Sequence, residues 1–256
     1  MALLDCKFFS ETLGMSSSMQ VILPEAGSSQ LSLPASAGAN ERRHPSLLLL
    51  HGMGDDDTAW LRSTSLERYV APLGLAVIMP SVHRSFYTNM ASGYRYWDFV
   101  TTELLDKARA FFPLSRERET NFVAGLSMGG YGAFKIALSR PEHFAAAASL
   151  SGVLDIRTPR AGREGDFKLI FGDAELAGSE HDLFRLATDL AQGQRPKPKL
   201  FQCCGTEDFL YQANVKFRAH VESLALDHTY EEGPGGHDWA YWDAAIARVL
   251  AWLPRS

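Results

Sequence analysis

Apolar runs of five to seven residues, each closed by a turn residue, organise the chain after its first forty positions. Ser46–Leu50 is one such run and ends in His51-Gly52. A run without alternation suits a strand buried on both faces. Leu75–Met79 repeats the pattern and is stopped by Pro80. Thr120–Ala124, the Ala-rich Phe144–Leu150, Lys199–Cys203 and His228–Glu231 read as further strands. Between them lie segments of helical length: Thr58–Val70 with Asp57 as N-cap, Tyr96–Phe112, Met128–Ser139 stopped by Pro141, Leu210–Leu226 and Asp238–Leu253. Ahead of all of these, Cys6–Leu13 and Ser18–Leu23 predict a two-stranded hairpin with Gly14–Ser17 as its turn. Repeated strand–helix alternation predicts an α/β fold, a mostly parallel eight-stranded sheet with helices on both faces.

Two stretches break this rhythm. Glu25–Asn40 is rich in Ser, Ala, Gly and Pro. Too little chain precedes it to form a core, so it reads as a long hairpin-type connection within one domain spanning 1–256. Ser151–Pro198 carries Gly, Pro and charge, with a helix from about His181 to Leu190. Phe167–Phe171 suits either a strand or part of a short helix. A partial, lid-like excursion over 151–198 would lie above the carboxyl edge of the sheet, where α/β proteins bind ligands.

Composition adds mainly exclusions. With 256 residues, 46% hydrophobic and 21% charged, the chain is neither disordered, nor collagen-like, nor a disulfide-dense mini-protein. A net charge of -5 supplies no global field that would gather nucleic acid or anionic lipid, so neither is expected as a partner. The cationic stretch Arg157–Arg163 reads as a solvated loop. No stretch approaches the ~18 apolar residues that span a bilayer. Ala35-Ser36-Ala37 resembles a signal-peptidase site but lacks a continuous apolar run before it, so a cytoplasmic location is expected. Three cysteines, Cys6 and the adjacent Cys203 and Cys204, do not make a disulfide framework. No cysteine or histidine spacing suggests zinc, and no metal is expected. Asp55-Asp56-Asp57 reads as a helix-capping acidic turn rather than a cation site.

The chemistry concentrates in Gly125-Leu-Ser127-Met-Gly129-Gly130. This matches G-x-S-x-G, with an apolar strand entering and a helix leaving. Small residues at 125 and 129 let the two arms of a sharp turn approach, and the helix start offers N–H groups to developing negative charge. Ser127 is therefore the candidate nucleophile. An acyl-transfer site needs two oxyanion donors. The backbone N–H groups of Met128, after the serine, and Met53, in His51-Gly52-Met53-Gly54 after an early strand, are the candidates.

Of eight histidines, His237 in Gly236-His237-Asp238-Trp239 lies between a strand and a helix, at a carboxyl strand end. His44, His143, His181 and His220 occupy helical or charged surface contexts. His51 fits the oxyanion turn, and His228 the start of a strand. In the order serine, acid, histidine, Asp208 is the best acid. Asp155 is second, Glu207 stays open, and Asp173 and Asp182 are more simply turn and cap residues. His83, Phe86 and Tyr87 follow a strand at the carboxyl edge and, with Trp97 and Trp239, are candidate pocket residues. The two tryptophans read equally well as helix-face packing.

Together these segments resemble the α/β-hydrolase esterases of the putative-esterase, or esterase D, family. The likeness runs through His51-Gly-Met53, Glu103-Leu104, Gly125–Gly132, Ser149-Leu-Ser-Gly152, Cys204–Tyr211 and Gly236–Trp239. It is nearest to the small bacterial tributyrin esterases, which act on short acyl esters. The resemblance implies Ser127 as nucleophile, Asp208 as acid, His237 as base and Met53 and Met128 as oxyanion donors. It implies a small acyl ester or thioester as substrate, no cofactor, and a homo-oligomer. The Glu25–Asn40 insertion is longer than expected of that subgroup. An S-formylglutathione-type thioester hydrolase, an acyltransferase and a catalytically silent binding protein are the alternatives.

Overall fold

The computed structural model describes residues 1–25, 43–157 and 162–254. Most of the Glu25–Asn40 patch, Ala35-Ser36-Ala37 and the middle of Arg157–Arg163 lie outside the described residues. Eight strands form one sheet: β1 (Ala2–Ser10), β2 (Met15–Leu23), β3 (Ser46–Leu50), β4 (Ala76–Pro80), β5 (Asn121–Leu126), β6 (Ala146–Leu150), β7 (Lys199–Gly205) and β8 (His228–Gly233). Their order across the sheet is β1-β2-β4-β3-β5-β6-β7-β8. Pairings from β4 through β8 are parallel, and the β1–β2 hairpin adds to β4 antiparallel. The central strands β3 to β6 are buried at every position, as their continuous apolar runs require.

The helices are α1 (Ala59–Ser63), α2 (Leu66–Val70), α3 (Tyr96–Asp98), α4 (Leu104–Phe111), α5 (Met128–Ser139), α6 (Glu164–Phe171), α7 (Leu183–Gln192), α8 (Tyr211–Ser223) and α9 (Trp239–Trp252). They cover two cores. On one face Tyr131, Phe134, Phe99 and Phe217 pack under α4, α5, α7 and α8. On the other, Trp60, Leu66, Ile246 and Val249 pack from α1, α2 and α9. The chain crosses from one side of β3 to the other between β4 and β5, a topological switch point at whose carboxyl edge ligands bind.

Two local differences from the sequence pattern have identifiable causes, and one open alternative is decided. The hairpin turn falls at 11–14 rather than Gly14–Ser17, since Ser10 pairs with Met15. Glu103 fixes it there by accepting from the Ser10 hydroxyl and from the N–H groups of Glu11 and Thr12. The helix expected over Thr58–Val70 is broken in two at the extended Thr64, where Asp243 accepts from Ser65 N–H and the Tyr69 hydroxyl. Asp57 does not cap it. Thr58 occupies the N-cap position, and Asp56 accepts from its N–H and hydroxyl. Phe167–Phe171 is helical, part of α6, which places Phe167, Ile170 and Phe171 on one buried face at helical spacing.

Candidate active site

Ser127 stands between β5 and α5 with φ 53°, in the left-handed region that a non-glycine residue rarely occupies. Its surroundings leave the backbone little choice. A Cβ on Gly125 would lie 2.4 Å from the Gly129 carbonyl oxygen, and one on Gly129 would lie 2.4 Å from Leu50 O and 2.7 Å from His51 O. Strand, turn and helix thus meet β3 at backbone contact. Ser127 N–H donates to Leu150 O at 2.9 Å, and Ser127 O accepts from Val153 N–H at 3.1 Å.

His237 lies in the loop from β8 to α9, and Asp208 in the turn that follows β7. Their side chains meet at the serine. His237 Nε2 is 2.9 Å from Ser127 Oγ, and Nδ1 is 2.8 Å from Asp208 Oδ2. Burial pushes the Asp208 carboxyl up, but the hydrogen bonds from His237 and from Leu210 N–H outweigh it and hold the group below the usual carboxylate range. An ionised Asp208 only accepts. Nδ1 therefore carries the proton, and Nε2 is left to accept from the Ser127 hydroxyl. The Asp208 side chain is fully buried while that of His237 is 19% exposed, so the base alone reaches the solvent side. Trp242, 4.8 Å away, and Phe209, 4.6 Å away, flank the imidazole.

The β3 loop arrives beside the serine. A Cβ on Gly52 would be 3.7 Å from Ser127 Cβ. His51 locks this loop: its Nε2 accepts from Val82 N–H, its Nδ1–H donates to Gly52 O, and its carbonyl accepts from the Tyr87 hydroxyl. Burial lowers the His51 pKa, in keeping with a neutral ring. Met53 follows this locked turn. Met128 occupies the first position of α5, where a helix leaves N–H groups without an intrahelical acceptor.

The other acid candidates point elsewhere. Asp155 makes a two-bond pair with Arg157, Glu207 accepts from Gly235 N–H, Asp182 caps α7 and Asp173 pairs with Lys168. Three pocket expectations change. Phe86 and Tyr87 are core residues, 3% and 0% exposed, beneath the site rather than in its mouth. Phe86 packs on Tyr131, Phe167 and Phe171. Trp239 packs edge-on between Trp60 and Trp242, one ring removed from His237. His83 is exposed and meets the edge of Tyr96, and Trp97 is half-buried against the Lys135 ammonium. His220 lies in helix α8 as the sequence suggests, and both it and His181 are half-buried, within bonding distance of Thr188 and Lys135 respectively. Two buried polar residues near the site escaped sequence reasoning, Lys135 in α5 and Asn214 in α8. Lys135 had a visible signal, a lone charge in an otherwise apolar helix.

The family model described as "Putative esterase" matches residues 11–253. The chain belongs to this esterase family. A relative named acetyl esterase, from Caldicellulosiruptor saccharolyticus, is 31% identical over 266 residues, covering 100% of this chain and 99% of the relative. Among solved structures, fluorophosphonate-binding serine hydrolase F of Staphylococcus aureus superposes with a TM-score of 0.87 at 38% identity, covering 100% of this chain and 99% of that one. An S-formylglutathione hydrolase from Staphylococcus aureus gives 0.85 at 39% identity, with 98% of each chain covered. This esterase is thus a serine carboxylic ester hydrolase of the α/β-hydrolase fold.

Proposed function

We propose that Ser127, His237 and Asp208 form the catalytic triad and that the substrate is a small ester with a short acyl chain. The observation that carries this is the unbroken pair of hydrogen bonds from Ser127 Oγ through the imidazole to a buried, ionised Asp208. In this reading His237 Nε2 takes the hydroxyl proton as Oγ attacks the ester carbonyl carbon. The negative oxygen is held by the N–H groups of Met53 and Met128. The C–O bond to the alcohol then breaks, and His237 returns the proton to the leaving oxygen. Water repeats both steps on the acyl-enzyme and releases the acid. Asp208 keeps the imidazole in the tautomer that can accept and stabilises the imidazolium.

The short acyl chain is supported by the tributyrin-esterase resemblance and by the relative named acetyl esterase. A thioester as substrate is the second reading, favoured by the 39% identical structure titled S-formylglutathione hydrolase. Its sulfur leaving group would use the same residues. A cytoplasmic location is supported by Cys6, Cys203 and Cys204 all being free. No helix among the described residues is long and apolar enough to cross a membrane. A homo-oligomer rests on the family resemblance. We also infer that the described part of the excursion after the gap, residues 162–198, is a fixed rim rather than a moving lid. Ala91 and Ser92 N–H donate to Ile170 and Leu169 carbonyls, and the Tyr131 hydroxyl donates to His181 O.

The test is a p-nitrophenyl ester series from acetate to dodecanoate, with wild type and Ser127→Ala side by side. Activity falling with chain length, and a loss of ~10⁴- to 10⁶-fold in the variant, is the expected result. Near-wild-type turnover by Ser127→Ala would overturn the assignment. A rate on S-formylglutathione far above that on the acetate would select the thioester.

A further inference from the structure

Behind the acid–base pair lies a buried polar chain that the proposed reaction does not use. Asn214, in the first turn of α8, is 0% exposed. Its Nδ2 donates to two backbone carbonyls, Gly152 O and Leu210 O, both at 3.0 Å. Each carbonyl belongs to a segment that holds a site residue. Leu210 N–H donates to Asp208 Oδ1 at 2.8 Å. The Gly152–Val153 peptide unit, whose oxygen accepts from Asn214, uses its N–H to donate to Ser127 O at 3.1 Å.

The orientation of this amide is set by what surrounds it. Two carbonyls can only accept, so the NH₂ must face them. Asn214 Oδ1 then needs a donor, and Gln202 Nε2 supplies it at 3.1 Å while also reaching Asn214 O at 2.8 Å. Gln202, on β7 and also 0% exposed, turns its Oε1 to His228 Nε2 at 3.1 Å. Every donor in the chain therefore runs one way, from His228 through Gln202 and Asn214 to the two site segments. A fully buried amide with one allowed orientation has a large cost for being replaced or rotated, since its partners are left unsatisfied.

We propose that Asn214 is a positioning residue that sets the separation of Asp208 and Ser127 by joining the acid turn to the loop beneath the nucleophile. It touches neither substrate nor the reacting atoms. The inference rests on the Ser127–His237–Asp208 reading. Loss of the Nδ2 donors frees Gly152 O and unties it from the Leu210 turn, which keeps only the backbone bond from Asn214 N–H to Leu210 O, so the carboxylate drifts from His237 Nδ1.

The experiment compares Asn214→Leu with wild type, Ser127→Ala and a stability control, Ser46→Ala. Ser46 makes a buried 2.7 Å hydrogen bond to Asn121 at the opposite, amino-terminal end of the strands. With p-nitrophenyl acetate, Asn214→Leu is expected to lower kcat by about 10²-fold, with KM changing much less. The acid limb of its kcat/KM profile should move to lower pH, because a displaced carboxylate stabilises the imidazolium less. Ser46→Ala should lower the thermal midpoint and leave kcat and the limb in place. A folded Asn214→Leu whose kcat and limb match those of Ser46→Ala overturns the proposal. If Asn214→Leu does not fold, Gln202→Met is measured instead. A smaller fall in kcat with the same direction of limb shift supports the proposal, and an unmoved limb overturns it. Activity surviving in Ser127→Ala rejects the triad reading and this inference with it. Loss in Ser127→Ala beside an unaffected Asn214→Leu rejects this inference alone.

Discussion

The two sides of the candidate site are built on different principles. The nucleophile side, where β3, β5 and α5 meet, is specified by space: Gly125 and Gly129 bring backbone to backbone, and Ser127 is held at a positive φ with its N–H and carbonyl both bonded. The acid–base side, where β7, β8 and α8 meet, adds partners to space: Gly205 and Gly235 also meet at backbone contact, but Asp208, His237, Asn214 and Gln202 are placed by side-chain hydrogen bonds. A region held by space fails when volume is added. A region held by partners fails when a donor is lost, even at constant volume. On the first side activity and fold should therefore be lost together, and on the second they should separate.

Asp208→Asn tests this with the largest separation. The side chain keeps its shape, but its amide presents a donor or a weaker acceptor to Nδ1 and favours the wrong tautomer. A loss of ~10⁴-fold in kcat is expected, with the thermal midpoint close to wild type. Rate assays and calorimetry on one preparation check it. Parallel loss of both would erase the distinction between the two sides.

Gly129→Ala is the reciprocal test. One methyl would sit 2.4 Å from Leu50 O, and a backbone oxygen cannot swing aside. An overpacking penalty of ~1–3 kcal/mol or more should appear as a lower midpoint, and the serine should move with the helix. Activity and midpoint are expected to fall together. A Gly129→Ala protein of wild-type stability with strongly reduced activity would show that this glycine serves chemistry rather than close approach.

This contrast also explains what was legible in the sequence. Close approach leaves small residues at fixed spacing, so Gly125-Leu-Ser127-Met-Gly129 announces the turn, and continuous apolar runs announce the central strands. Ser127, Asp208 and His237 each follow a strand in the order the chemistry needs, and the structure brings those three within hydrogen-bonding distance. Partner-held features leave no such trace. Asn214 pairs with residues 62 positions earlier and 12 positions earlier, and nothing in its neighbourhood marks it as buried. The same limit moved Phe86 and Tyr87 from the expected pocket into the core. A chain position at the carboxyl edge fixes which end of the sheet a residue occupies, not whether its side chain points up into the mouth or down onto α5. The hairpin turn shifted for the same reason, because Glu103, distant in sequence, set it.

Lys135 breaks the rule on the nucleophile side and yields the smallest predicted effect. It lies in α5, 3% exposed, and its ammonium donates to Thr88 Oγ1 at 3.0 Å and lies 3.1 Å from His181 Nδ1 and over the Trp97 ring. Burial pulls its pKa down to about 7, with only Glu180 opposing. Burial, reinforced by Lys135, pulls His181 down to about 4, so at neutral pH its ring can accept from the ammonium. The unfolded chain binds the Lys135 proton up to about pH 10.4, whereas the folded chain begins to release it near 7. Between those limits the unfolded state holds more protons, so stability rises with pH. Below pH 7 both states are protonated and the dependence on this group ends. Wild type should therefore gain stability relative to Lys135→Met as pH is raised from 7 toward 10, read as a steady change in the difference between their thermal midpoints. Esterase activity at pH 7 should change little, since Lys135 touches none of Ser127, His237 and Asp208. A midpoint difference that stays flat over that interval would mean that the ammonium is neutralised within the fold by a partner other than Thr88 and His181. The nucleophile side would then be held by partners after all.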